Sequence, residues 1–327
     1  MTTSPLPAAS DASIVLFGEA LIDDFATVQV VGGAPFNVAR HLAAFAPLAC
    51  PPLMITRIGS DDNGARVLAE FSRFAMRVDG LQSDASAPTG RVLVEADGDS
   101  HRFIILPDQA YDAIDGALAC TALARCTPST IYFGTLAQRS AGARTALATL
   151  LAATPHAARR FLDLNLRDGQ TDAACVFASL HEADVVKVNE YELGALFDWC
   201  NPAARPAALV AGVDMRDIAL RMACVGLMDN FGVLGLIVTL GPHGAVYLAA
   251  DGSYVTAAAA AAPALVDTVG AGDAFSAIYL LGSTLRWPLA TTLQRANAFA
   301  AAVCGIAGAV PADLTFYEPW LLRWLAD

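Results

Sequence analysis

The chain has 327 residues, 55% of them hydrophobic, and a formal net charge of −12. This suits one large α/β domain or two modest ones with a well-buried core, and excludes a disordered or fibrous chain. The acidic balance argues against a nucleic-acid surface, so a polyanion site must be built locally from backbone N–H groups, a few arginines and a metal.

Lys187 is the sole lysine. A Walker P-loop needs Gly-Lys-Ser/Thr and is excluded, as are the glycine-rich loop and lysine of protein kinases. No G-x-G-x-x-G follows the first expected strand, which disfavours a Rossmann dehydrogenase. The seven cysteines lack C-x-x-C spacing and the histidines lack ligand spacing. Reduced thiols of a cytoplasmic protein are therefore expected, and a zinc site is not. The first dozen residues show no basic segment followed by an apolar one, so no secretory signal is expected. The longest apolar stretch, 218–240, is interrupted by Arg221, Asp229 and Asn230 and reads as a helix then a strand, not a membrane span.

In chain order, Ser13 to Phe17 is an apolar run that reads as the first strand. It leads into Gly18-Glu19-Ala20-Leu21-Ile22-Asp23-Asp24, and carboxylates just past a strand's C-terminal end are where α/β sheets place ligand contacts. Solvated turn acids are the alternative for Asp23 and Asp24. Val28 to Val31 precedes Gly32-Gly33-Ala34-Pro35-Phe36-Asn37. Pro35 fits an early helical position, with Val38, Leu42 and Phe45 then on one face. Asn37, one turn in, either offers its amide to a ligand hydroxyl or faces solvent.

Leu53 to Ile58 reads as a second strand, and Gly59-Ser60-Asp61-Asp62 caps a helix with Val67, Leu68, Phe71 and Phe74 inward. Arg91 to Glu95 and Arg102 to Leu106 are β-like runs joined by a hairpin signal at Ala96 to Ser100. They interrupt the alternation and read as an appended flap. Arg102 is either a substrate contact or a cross-strand ion partner.

Thereafter strands (Ile131 to Gly134, Phe161 to Leu164, Val185 to Val188, Leu234 to Leu240) alternate with helices (Ala141 to Ala153, Asp172 to Glu182, one containing Leu193, Leu196 and Phe197, and Asp214 to Phe231). Val246 to Leu248 and Tyr254 to Thr256 read as a strand pair, and helices at Thr291 to Ala307 and Pro319 to Leu325 end the chain. Such alternation implies a mostly parallel sheet covered by helices on both faces.

Chemistry concentrates in Val266 to Leu281. Gly270 and Gly272 form a turn ahead of a helix in which Phe275, Ala277, Ile278, Leu281 and Leu285 recur at helical spacing. Asp273 falls in the first turn, where unpaired amides and the macrodipole gather positive potential. Glycine amides at a helix start make an anion hole, and a carboxylate at its mouth suits proton abstraction from an attacking hydroxyl. A capped helix start without chemistry is the alternative. Asp23, Asn165 with Arg167, Asn189 with Glu192, Thr239 with Gly241, and Gly270 to Asp273 each follow an expected strand, so they would share one crevice. Arg167 suits a phosphate fork. Asn189 and Glu192, three apart, suit Mg²⁺ held through waters.

FGEALID (Phe17 to Asp23), GGAPFNVA (Gly32 to Ala39), RIGSDDNG (Arg57 to Gly64), DLNLR (Asp163 to Arg167), KVNEYE (Lys187 to Glu192), VTLGPHG (Val238 to Gly244) and DTVGAGDAF (Asp267 to Phe275) together resemble the ribokinase/PfkB sugar kinases, and among them the bacterial fructokinases. The resemblance runs from Phe17 to about Gly308. It implies a ribokinase-like three-layer α/β/α sandwich, a single domain over 1–327 with a small β lid from about 24–32 and 88–107. It also implies ATP-dependent phosphorylation of a primary sugar hydroxyl, most readily that of fructose, with Mg²⁺, no membrane partner, and a homodimer as the assembly. Kinases for 2-keto-3-deoxygluconate, a pentose or a nucleoside, and a catalytically silent binding regulator, are the other readings. The resemblance puts the base at Asp273, the anion hole at Gly270, Ala271 and Gly272, and sugar contacts at Asp23, Gly32, Gly33 and Asn37. Asn189 and Glu192 match the metal and phosphate motif, with Asn165 and Arg167 on the nucleotide side. Thr239, Gly241 and Gly244 match the nucleotide loop, Asn297 closes the adenine pocket, and the backbone at Asp267 and Thr268 holds a monovalent cation such as K⁺. The 24–32 segment is shorter than the family's lid strands, so a reduced flap is expected.

Overall fold

A computed structural model describes residues 12–25, 28–97, 100–200, 202, 205–260 and 265–326. The strands are β1 (Ala12–Phe17), β2 (Leu21–Phe25), β3 (Val28–Gly32), β4 (Leu53–Gly59), β5 (Leu81–Asp84), β6 (Gly90–Asp97), β7 (Ser100–Ile105), β8 (Thr127–Phe133), β9 (Arg159–Asp163), β10 (Val185–Asn189), β11 (Gly235–Thr239), β12 (Ala245–Ala249) and β13 (Tyr254–Ala257). The helices are α1 (Ala34–Ala44), α2 (Asp62–Arg73), α3 (Gly116–Leu123), α4 (Ala141–Ala153), α5 (Ala173–His181), α6 (Glu190–Cys200), α7 (Ile218–Phe231), α8 (Ala271–Thr284), α9 (Leu289–Val303) and α10 (Glu318–Ala326).

The main sheet has nine strands in the order β13-β12-β11-β10-β9-β8-β1-β4-β5. Strands β5 to β11 of that order pair in parallel, and β12 and β13 add antiparallel at one edge. Central strands such as β10 and β11 are buried on both faces, which is why they read as unbroken apolar runs. One core layer packs α3 to α7 against the sheet, through Leu147, Leu150, Val176, Leu193 and Leu220. The other packs α1, α2, α8, α9 and α10, through Phe36, Phe71, Ile278, Phe299 and Trp324. The three-layer α/β/α arrangement expected from the alternation is therefore present. None of the described helices is long and apolar enough to cross a membrane.

Polar side chains start the helices. Asp61, Asp115, Ser140, Asp172 and Asp217 each accept the backbone N–H three residues on. The cap at Asp217 moves the start of α7 to Ile218, later than the Asp214 expected.

β5 (LQSD) and α3 (GALACTAL) were not expected: the first is short and polar, the second has no polar face to reveal a period. A second, four-stranded sheet, β3-β2-β6-β7, stands apart from the main one, with β2 and β6 parallel. It begins at Leu21, not near residue 24. Asp23 therefore lies inside β2, opposite Val30, rather than beyond the end of β1. Residues 265–270 form no strand, so the helix-start motif is not a strand tip. It reaches the sheet edge because α8 packs against α1 and α9.

An aromatic cluster locks that side. Phe299 on α9 sits within 5.2–5.9 Å, ring to ring, of His41, Phe45, Phe316, Tyr317 and Trp320. Burial, before all else, pushes the His41 pKa down to about 3, so the ring is neutral. Its Nε2 donates to the Ala309 carbonyl at 3.1 Å, leaving Nδ1 to accept from the Tyr317 hydroxyl at 2.8 Å. Phe299→Ala should lower unfolding stability by about 3–5 kcal/mol. Urea denaturation checks this, and a loss under ~1 kcal/mol would mean that the cluster collapses to fill the space.

Candidate active site

α8 starts at Gly270, in the left-handed conformation at φ 79°. A side chain there would be strained, and its Cβ would collide with Ala309. No side chain caps this helix. The amides of Gly272 and Asp273 have no backbone acceptor among the described residues, whereas Ala271 donates to the Thr268 carbonyl at 3.3 Å. The Gly270 amide likewise donates to nothing among the described residues, so two of the three expected amides, Gly270 and Gly272, are open, with that of Asp273 beside them. The turn that reverses the chain into α8 takes up the Ala271 amide.

Behind these amides lies the one lysine. A Cβ on Gly272 would be 3.5 Å from Lys187 Nζ. Lys187 and Asp163 face each other in register on β10 and β9, and Nζ donates to both carboxylate oxygens at 2.8 and 2.9 Å. Asp163 also accepts from Ser276 Oγ at 2.7 Å and from the Tyr132 hydroxyl at 3.1 Å. Burial opposes the ammonium charge, but Asp163 outweighs it and holds Lys187 above the usual lysine value. Sequence reasoning did not assign Lys187 a role in the site. Its signal was being the only lysine, one strand from DLNLR.

Asp273 is buried, and Asn37 Nδ2 donates to its Oδ2 at 2.7 Å. Arg40, one turn on in α1, donates to Asn37 Oδ1 at 2.6 Å. A guanidinium can only donate, so it forces the Asn37 amide nitrogen towards Asp273. Arg40 is anchored by Glu70 at 2.8 Å and by the Val31 carbonyl at 2.8 Å. Burial pushes the Asp273 pKa up to about 6, against the Asn37 hydrogen bond and with the nearby Asp163 charge. Burial likewise raises Asp23 to about 6, opposed by Arg167 and Arg40, and Glu19 to about 7, opposed by its backbone contacts and Arg167. One guanidinium, Arg167, thus influences all three carboxyls. Gly32 leaves room for the Asp23 carboxylate, which a Cβ would strike, and Gly33, at φ 101°, lies against the Glu19 carbonyl.

Asn165 adopts φ 39°, and with Arg167, Glu19, Pro35 and Asp163 it lines a narrow cleft at the sheet edge. Asn189 and Glu192 form a reciprocal cap: Asn189 Oδ1 accepts the Glu192 amide, and Glu192 Oε2 accepts the Asn189 amide, both at 2.8 Å. Glu192 Oε1 also accepts the Leu166 amide at 2.8 Å. The motif first of all pins the β9 and β10 tips together. Both oxygens keep lone pairs for water, so the pair suits an outer contact to Mg²⁺ rather than direct ligation. No group of three or more His, Cys, Asp or Glu side chains converges as a metal cage among the described residues.

Further out, Thr239 Oγ1 donates to the Val188 carbonyl at 3.3 Å, and Gly241 and Gly244 take positive φ in the loop after β11. Asn297 donates to the Ala257 and Ala258 carbonyls at 2.9 and 3.1 Å, joining α9 to β13, and makes no bond to the Asp273 group. Asp267 accepts from the amides of Val269 and Gly308, drawing two loops together beside α8. The Arg102 side chain lies outside the described residues.

A family profile for the pfkB carbohydrate kinases matches residues 8–314. The chain belongs to this family. Its reaction class is therefore ATP-dependent phosphorylation of a carbohydrate hydroxyl. Among curated proteins, none matches this kinase significantly in sequence. Solved structures share the fold. Aminoimidazole riboside kinase from Salmonella enterica, complexed with aminoimidazole riboside and an ATP analogue, is 22% identical, with a TM-score of 0.73 over 96% of this chain and 99% of that one. A fructokinase double mutant from Vibrio cholerae O395, bound to fructose, ADP and potassium, is 21% identical, with a TM-score of 0.72 over 95% of this chain and 99% of that one. A putative ribokinase II from E. coli, in complex with ATP and Mg²⁺, is 18% identical, with a TM-score of 0.72 over 95% and 99%.

The raised carboxyl values set a stability trend. In the unfolded chain the Asp273 carboxyl ionises near the ordinary aspartate value of 3.8, whereas the folded one holds its proton to about 6. Folded protein therefore binds more protons between those values, so this group's contribution to stability falls as pH rises through that window and stays lost above it. Asp273→Asn keeps the Asn37 contact and removes the buried charge. It should be more stable than the parent at pH 8 by about 1–3 kcal/mol, with little gain at pH 4. Equal urea midpoints at both pH values would refute the burial of a charge here.

Proposed function

We propose that this kinase transfers the terminal phosphoryl group of ATP to a primary hydroxyl of a small sugar, with Asp273 as the base and fructose at C6 as the preferred acceptor. The observation that carries the reading is the buried Asn37–Asp273 pair, 2.7 Å apart, beside the open first turn of α8. A hydroxyl seated between Asn37 and Asp23 would face a carboxylate with its pKa at about 6, ionised at neutral pH yet basic enough to take the proton late in transfer. The open Gly270, Gly272 and Asp273 amides, the α8 dipole and Lys187 behind them would meet charge growing on the phosphoryl oxygens. Because that transition state is loose, positioning and electrostatics supply most of the rate.

ATP would lie along the tips of β9 to β11, with its phosphates towards Arg167, Asn165 and Asn189, and its base towards Thr239, Gly241, Gly244 and Asn297. Mg²⁺, reached through water from Asn189 and Glu192, would neutralise phosphate charge. The paired loops at Asp267–Thr268 and Gly308 fit a monovalent cation held by backbone carbonyls, with K⁺ as the candidate. The four-stranded sheet, carrying Asp23, would close over the sugar. Its Val28 and Val30 are 54% and 37% exposed, apolar surface that suits a homodimer through the same sheet.

An ADP-release assay over a sugar panel tests the reading. Fructose should give the highest kcat/KM. Preference for a ribonucleoside would favour the alternative suggested by the riboside-kinase fold, and no turnover with any sugar would reject the proposal. Asp273→Asn should lower kcat by at least ~10²-fold. For the parent enzyme, kcat/KM should fall about tenfold per pH unit below pH 6, as the Asp273 carboxylate takes up its proton. Glu19→Gln should leave that acid limb in place, and a limb that vanishes with Glu19 would move the titration there.

A further inference from the structure

A cavity of about 150 Å³ opens at the other edge of the main sheet, where the strands begin. Its walls include Arg159, the first residue of β9, with Phe161 beyond it, Tyr247 on β12, and Tyr279 and Leu280 on α8. The catalytic groups lie at the opposite, C-terminal tips of these strands, so the cavity is not part of the site described above.

Its chemistry is distinctive. Arg159 is exposed, and its guanidinium makes no hydrogen bond or ion pair among the described residues. The Tyr247 ring lies over Gly235, whose missing Cβ leaves room for the phenol. The Tyr279 side chain is buried, and neither phenol has a hydrogen-bond partner among the described residues. Burial raises both phenol pKa values, and Arg159 pulls against it in each case, so its charge reaches both hydroxyls. Phe161 and Leu280, 2% and 1% exposed, give an apolar floor. A lone cation, two donor hydroxyls and an apolar floor complement an anion with a flat apolar body.

We propose that this cavity binds a small organic monoanion, a carboxylate on an aromatic or similarly flat body, and that occupancy alters the kinase reaction. The coupling runs through packed, rigid groups. Tyr279 stands six residues after Asp273 on α8, about 9 Å along one helix. Its ring lies 5.5 Å from Phe161, which stacks at 5.7 Å on Tyr132. The Tyr132 hydroxyl bonds Asp163, the partner of Lys187 behind the anion hole.

Benzoate is the probe, titrated onto the full chain by calorimetry, with benzyl alcohol as the neutral control. Saturable 1:1 binding is expected, at least ~10-fold tighter than for benzyl alcohol, and weakened at least ~10-fold in Arg159→Gln. Asp273→Asn should bind benzoate as the parent does, which separates this site from the catalytic one. Saturating benzoate should change KM for ATP or kcat at least ~2-fold in the parent and leave Arg159→Gln unaffected. No saturable binding, or equal affinity in Arg159→Gln, overturns the site. Binding that leaves both kinetic constants unchanged overturns the coupling.

Discussion

A single hydrogen bond, from the Asn37 amide to the Asp273 carboxylate, joins two helices 236 residues apart in sequence. Its direction is not free. Arg40 occupies the Asn37 oxygen, so only the amide nitrogen can face Asp273. Arg40 is itself held by Glu70 and by the end of β3. The chain of contacts runs from the small sheet through α1 to the start of α8, and each link has one permitted polarity. Buried polar groups of this kind specify geometry because the alternative pairings leave a donor or acceptor unsatisfied in low dielectric.

Charge balance follows from that geometry. The protein has 32 acidic and 20 basic residues, yet the site must attract polyphosphate. Its few cations are grouped around buried carboxyls. Lys187, Arg40 and Arg167 all act on the same small group of carboxyls. Three of those carboxyls still have pKa values raised to about 6 or 7, because burial outweighs the cations. Holding these carboxyls in the interior costs stability wherever they are ionised.

The Asn189–Glu192 cap shows how one motif carries two kinds of information. It closes a helix start and fastens the Leu166 amide, so it is structural in this molecule. It also fixes both Glu192 carboxylate oxygens near the strand tips. Asn297 ties α9 to the end of β13 through the Ala257 and Ala258 carbonyls.

The alternation of apolar runs and helical periods determined the layered, mostly parallel architecture, because strands buried on both faces must be apolar throughout. The glycines and acid of the α8 start were also legible, since positive φ and open amides are local properties. Weak local signals hid β5 and α3. Asp23 was misplaced because a polar turn and a strand of a second sheet look alike until their hydrogen-bond partners are known. Only the folded chain put Lys187 beneath Gly272 and aimed Asn37 by way of Arg40. These depend on cross-strand register and helix packing, contacts between residues far apart in sequence that no local pattern encodes.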